Sequence, residues 1–168
     1  FDRLRLHLAG DRYISQGLYL GLLRHLDGIE LRPFGRDGVG IDVGNGQDLS
    51  LRISAQSVQP VGFAEEHALI PYPPNTFRGY RHLQEYFAFP EKYLFVDLVG
   101  LDVLQTLPTA ALQQTCGVTL RFELSGRCPQ LQQPTLDNVK LYCTPIVNLF
   151  EHDAVPIRLD GKQDEYLL

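Results

Sequence analysis

The chain has 168 residues, 44% of them apolar and 21% charged, which suits one folded domain with a sizeable core or two small ones. A net charge of −5 gives no electrostatic footprint for nucleic acid or for an anionic membrane surface, so neither is expected as a partner. No apolar run nears the roughly 20 residues a membrane-spanning helix needs, so no membrane insertion is expected.

The opening "DRLRLHLAG" alternates with period two, Leu4, Leu6 and Leu8 against Arg3, Arg5 and His7, which predicts a half-buried strand ended by Gly10. Asp11 is placed to cap a helix through "RYISQGLYLGLLRHL". Its Ile14, Leu18, Leu22 and Leu26 form a stripe widened by Tyr19 and Leu23, and Gly28 is expected just past its end. "IELRPF" reads as a second strand, so the opening strand–helix–strand is compatible with a βαβ unit. "GRDGVGIDVGNGQDLS" is rich in turn residues, and Asn45-Gly46 signals a hairpin. From Leu49 the pattern of "LSLRISAQSVQPVGF" predicts one long strand. "AEEHALIPYPP" reads as a loop with one helical turn, since Pro71, Pro73 and Pro74 forbid regular structure.

"FRGYRHLQEYFAF" carries Tyr80, Leu83 and Phe87 at i, i+3 and i+7, which predicts an amphipathic helix stopped by Pro90, with Glu85 on its polar side. "KYLFVDLVGL" is β-branched and aromatic, a buried strand entered straight from Pro90. "LQTLPTAALQQT" is ambiguous, and "GVTLRFELSG" alternates as a strand. "NVKLYCTPIVNLF" reads as a strand bent at Pro145, followed by short edge strands in "VPIRLD" and "DEYLL". Strands with a few interspersed helices predict an α+β fold, antiparallel or mixed β-sheets with a few helices packed against them. The organisation divides into a strand–helix–strand and hairpin region, 1–60, and an aromatic-rich α+β region, 61–168, as one compact unit or two closely packed subdomains.

Reactive chemistry is sparse. The glycines of "GVGIDVGNGQDL" lack phosphate-loop spacing and lead into a strand, not a helix N-terminus. Asp37, Asp42 and Asp48 lack calcium-loop spacing, and His7, His25, His67, His82 and His152 show no metal-ligand spacing. Cys116, Cys128 and Cys143 form no CxxC pair and are expected to be reduced, partly buried thiols. Ser57, Ser125 and Thr144 lie in no nucleophile elbow. Glu65, Glu66 and Glu85 are the one carboxylate group near aromatics, the pattern of a sugar-cleaving or sugar-binding site. No cofactor, no metal and no catalytic residue is expected.

What dominates is "PYPPNTFRGYRHLQEYFAFPEKYLFVDL", Pro71 to Leu98, which holds eight of the chain's 9 Phe and 8 Tyr residues. These rings either build the core or share it with a protein–protein interface, where Tyr and Arg are enriched. Tyr72, Arg78, Tyr80 and Arg81 have that interface profile. A carbohydrate or small-ligand module using the stretch 72–95 is the alternative.

The stretch "VGFAEEHALIPYPPNTFRGYRHLQEYFAFPEKYLFVDLVGL", with its Pro60 to Phe63, Leu69 to Pro73 and Phe77 to Leu98 segments, resembles the signature of the TssF (VasA/ImpG) family. "CTPIVNLFEHDAVPIRLDGKQDEYLL" resembles a second element of that family, and "FDRLRLHLAGD" its strand before a first helix. The likeness spans nearly the whole chain and is least specific over Arg32–Asp48 and Leu104–Cys116. Family chains are several times longer, and the chain contains no methionine, so an internal piece of a longer protein is expected. The resemblance implies a non-enzymatic baseplate wedge subunit of the type VI secretion system in Gram-negative bacteria, cytoplasmic and assembled near the inner membrane. The implied partners are TssG-like, TssK-like and TssE-like subunits, another TssF copy and the spike hub. Candidate interaction or structural signature residues are Tyr72, Arg78, Tyr80, Arg81, Glu85 and Tyr86, with Phe89 and Pro90 at the helix end and Pro145 and Asn148 in the second element.

Overall fold

The computed structural model describes residues 2–42, 48–126, 133–150 and 153. Two antiparallel sheets carry the fold. Strand β1 (Arg3–Leu8) pairs with β5 (Phe95–Val99) on one side and with β7 (Val139–Lys140) on the other. Strand β4 (Val58–Pro60) adds beyond β5, giving the order β4-β5-β1-β7. The second sheet has the order β3-β2-β6, from β3 (Leu51–Ser54), β2 (Leu26–Phe34) and β6 (Gly117–Leu124). Helix α1 (Arg12–Arg24) packs against β1 and β4 of the first sheet and against β2 and β6 of the second. Both sheets therefore draw strands from either side of residue 60.

The expected α+β class holds, with antiparallel pairing in every described ladder. The opening strand–helix–strand is not a βαβ crossover, because β1 and β2 belong to different sheets. The core is the layer between them. Leu8, Ile29, Leu31 and Leu98 are 0% exposed, and Leu6, Val96, Leu22 and Leu101 close around them. Each such aliphatic side chain contributes roughly 1.5–3 kcal/mol through burial. Asp11 caps α1 as expected, its Oδ1 accepting from the Tyr13 N–H at 2.8 Å.

Three expectations are corrected. Gly28 does not end α1. The chain passes straight into β2 through a register shift at Leu26/Gly28, and Gly28 is buried against Arg52. The long strand from Leu49 is broken: Ser54 Oγ accepts from the Gln56 N–H at 3.2 Å, the chain turns through a 3-10 turn at Ala55–Ser57, and β3 and β4 enter different sheets. The strand through Cys143 and Pro145 is only the two-residue β7, and residues 141–150 form no regular element.

The hairpin expected at Asn45-Gly46 lies outside the described residues; Asp42 and Asp48 form an isolated bridge, and the Leu49 N–H donates to the Ile41 carbonyl at 2.8 Å. Cys128 and the "VPIRLD" and "DEYLL" segments also lie outside them. The ambiguous connection is a 3-10 segment, Leu101–Thr106, followed by α3 (Thr109–Gln114).

Candidate functional site

The aromatic stretch forms α2 (Arg78–Ala88), as the apolar spacing predicts, but with its faces reversed. The apolar face is outside: Phe87 is 80% exposed, Phe77 72%, Tyr80 59% and Leu83 56%. The buried helix residues are Arg81 and Glu85, so the polar side on which Glu85 is expected faces the interior and not solvent. The physical reason lies in what the inward face meets. Glu85 Oε1 accepts from the Leu69 N–H at 2.8 Å and the Ile70 N–H at 3.1 Å, donors that the proline-rich loop leaves unpaired. Its Oε2 accepts from the Lys92 ammonium, and both side chains are 1% exposed. Burial raises the Glu85 pKa, but the Lys92 hydrogen bond and the two backbone donors outweigh it and hold the carboxyl below its usual range.

Lys92 belongs to a 3-10 turn, Pro90–Tyr93, that Pro90 opens at a position suited to its fixed φ. The helix is therefore joined to β5 by a turn rather than by direct entry into the strand. Tyr93 is buried, and its hydroxyl donates to the His82 carbonyl at 3.1 Å. Burial, then the nearby Arg81 and Lys92 charges, lowers the His82 pKa.

The exposed face of α2 forms one wall of a groove of about 1120 Å³, with α1 and the end of β1 opposite. Tyr19, Phe63, Leu83, Tyr86, Phe87 and Tyr93 supply its apolar lining. Rings there meet tilted or edge-on: Phe63–Tyr93 at 47°, Tyr86–Tyr93 at 53° and Tyr86–Phe87 at 74°.

The remaining candidate residues scatter around α2 and beyond. Tyr72 and Arg78 line a smaller cavity with Arg81, where Arg78 is paired with Glu65 at 3.1 Å. Phe89 is partly buried at the helix end and Pro90 is exposed. Pro145 flanks a different small cavity, with Arg5 and Lys92, and bends no strand; Asn148 is exposed. Cys116 is exposed and Cys143 is only partly buried, its thiol donating to the Leu141 carbonyl at 3.6 Å. Glu65, Glu66 and Glu85 do not share an open site, since Glu85 is sealed and Glu65 is held by Arg78. Among the described residues no three His, Cys, Asp or Glu side chains gather to hold a metal ion, and no helix is long and apolar enough to cross a membrane.

Sequence reasoning missed Lys92, because a Glu and a Lys seven apart across a proline match no periodic pairing. It also missed Asp97, which is 6% exposed on β5 and takes a two-bonded contact from Arg5 on β1 at 2.7 and 2.8 Å. An aspartate inside "LFVDLVG" was the available signal, since a buried charge requires a partner.

Comparison with known proteins agrees with this architecture. A chain in the cryo-electron microscopy structure of the type VI secretion system TssK-TssF-TssG baseplate subcomplex matches all of this chain at 34% identity with a TM-score of 0.67; the match covers 29% of that chain. The type VI secretion system component TssF1 of Pseudomonas aeruginosa is 37% identical over 118 residues, 68% of this chain and 18% of its own length. This chain thus spans less than a third of either relative. The family model for TssF of the type VI secretion system matches residues 1–168, and the chain belongs to the TssF family.

Proposed function

We propose that this chain is part of a structural baseplate wedge subunit of a type VI secretion system, working through protein–protein assembly for contractile tail growth and not through catalysis. The observation that carries this reading is the reversed helix α2, which turns Phe77, Tyr80, Leu83 and Phe87 outward while Glu85 is held inside by Lys92. A large apolar face of this kind is costly in a free domain and characteristic of an interaction site. TssG-like and TssK-like subunits are the first partners, because the relative with the same architecture comes from a TssK-TssF-TssG subcomplex. A TssE-like subunit, a second TssF copy and the spike hub follow from the family resemblance, as does assembly in the cytoplasm near the inner membrane. Carbohydrate binding has less support, since the Phe and Tyr rings that touch in the groove meet at 47° to 74° rather than parallel.

The test is co-purification of the natural full-length protein with its TssG-like and TssK-like subunits, comparing wild type with Leu83→Ser/Phe87→Ser. Loss of the complex with unchanged melting temperature is the expected result. An intact complex would remove the α2 face from the assembly reading.

A further inference from the structure

Arg81 sits on the inward side of α2 and is 6% exposed. Its Nε is buried and meets no hydrogen-bond acceptor among the described residues. None of the described ion pairs includes it: Glu85, one turn along the helix, is taken by Lys92 and by the Leu69 and Ile70 N–H groups, and Glu65 is paired with Arg78. A buried guanidinium nitrogen that meets no acceptor among the described residues is unfavourable, and the same side chain lines a cavity, which points to a ligand on its fork.

That cavity measures about 90 Å³ and lies between the proline-rich loop and α2. Tyr72, Pro73, Pro74 and Thr76 form one side, and the Arg78–Glu65 pair forms the other. At roughly 30 Å³ per water molecule it has room for one carboxyl group and its stem. The Arg78 charge is matched by Glu65, and no ion pair among the described residues includes Arg81, so the lining offers one positive charge in excess, which suits a monoanion better than a phosphate. The planar guanidinium fork matches a carboxylate in shape. Phe77 lies in the chain between the lining residues Thr76 and Arg78, and Tyr80 lies beside Arg81. Both rings are exposed and meet edge-on at 5.6 Å.

We propose that this cavity is a carboxylate socket that receives one Asp or Glu side chain of a partner polypeptide, whose flanking apolar residues lie on Phe77 and Tyr80. The geometry carries this independently of which subunit the partner is. The socket gives the apolar face of α2 a register: the rings provide area, and the guanidinium admits a segment with an acid at one position.

The experiment uses the natural full-length protein with ¹⁵N-labelled arginine, titrated with the peptide Ac-Leu-Glu-Leu-NH2 while the Arg81 Nε–H resonance is followed. Saturable binding at least tenfold tighter than that of Ac-Leu-Gln-Leu-NH2 is expected. Arg81→Met abolishes this preference without lowering the melting temperature, because it removes a buried donor that has no acceptor among the described residues. Arg81→Lys keeps the charge but loses the fork, and weakens the peptide several-fold in a folded protein. Equal binding of the Glu and Gln peptides overturns the proposal. So does a lower melting temperature for Arg81→Met, which would make Arg81 a structural group. Sodium acetate or inorganic phosphate binding as tightly as the peptide would show a small-anion site and overturn the polypeptide partner.

Discussion

The Glu85 carboxylate accepts a hydrogen bond from the Lys92 ammonium across the turn that follows α2, and both side chains are 1% exposed. This contact explains why a helix with a strong apolar stripe turns that stripe to solvent. Glu85 also closes the backbone donors of Leu69 and Ile70, so it ties the proline-rich loop, the helix and the approach to β5 into one unit. Turning the helix over would bury the rings, but it would release two charges and two backbone donors from their partners.

Removing one member of this pair leaves the other as a buried charge. Glu85→Gln is expected to destabilise the protein by about 3 kcal/mol in urea denaturation. The double change Glu85→Leu/Lys92→Met removes both charges and should recover most of that loss. Equal stability of Glu85→Gln and wild type would refute the role assigned to the pair.

The pH dependence has two stages. Burial lowers the pKa of His7 and of His82, so the unfolded chain takes up these protons first, and stability begins to fall as pH drops below about 6.5. The Glu85 pKa is also depressed in the folded state: burial opposes this, but Lys92 and the backbone donors prevail. Its contribution is complete above the unfolded carboxylate value of about 4.3 and is lost as pH falls through the lower folded value. Chemical denaturation between pH 8 and pH 3 should therefore show a shallow decline and then a steeper one, with the steep part reduced in the Glu85→Leu/Lys92→Met protein.

The turn after β1 is held by Gly10 and Asn138. Gly10 has φ +102°, and a Cβ there would lie 2.3 Å from Asn138 Nδ2. That amide donates to the Ala9 carbonyl at 3.1 Å, and the Ala9 N–H donates to the Asn138 carbonyl at 2.9 Å, which seats β7 beside β1. Gly10→Ala should cost about 1–3 kcal/mol and speed hydrogen exchange at Ala9 more than at Val96 in β5. Unchanged exchange at Ala9 would contradict this.

The two prolines should behave differently. Pro90 opens the turn that presents Lys92, so Pro90→Ala is expected to lose about 0.5–1 kcal/mol through the added freedom of the unfolded chain. Pro145 lies in a segment without regular structure, and Pro145→Ala should stay within about 0.5 kcal/mol of wild type. Thermal melts of both variants check this. A larger loss at Pro145 than at Pro90 would reverse the assignment.

Local pattern alone determined much of this protein. The alternation of Leu4, Leu6 and Leu8, the Asp11 cap, the apolar run of β5 and the spacing of Tyr80, Leu83 and Phe87 placed β1, α1, β5 and α2, because strand and helix periods are written in neighbouring residues. Long motifs in the aromatic stretch pointed to the TssF family. Which face of α2 meets solvent was left to the tertiary structure. Periodicity measures how far apolar and polar residues separate, not which side finds partners, and here Lys92, Leu69 and Ile70 arrive from outside the helix. The break at Ser54, the partnership of Arg5 with Asp97 across two strands and the Arg81 Nε that meets no acceptor among the described residues likewise depend on what distant segments bring to each group.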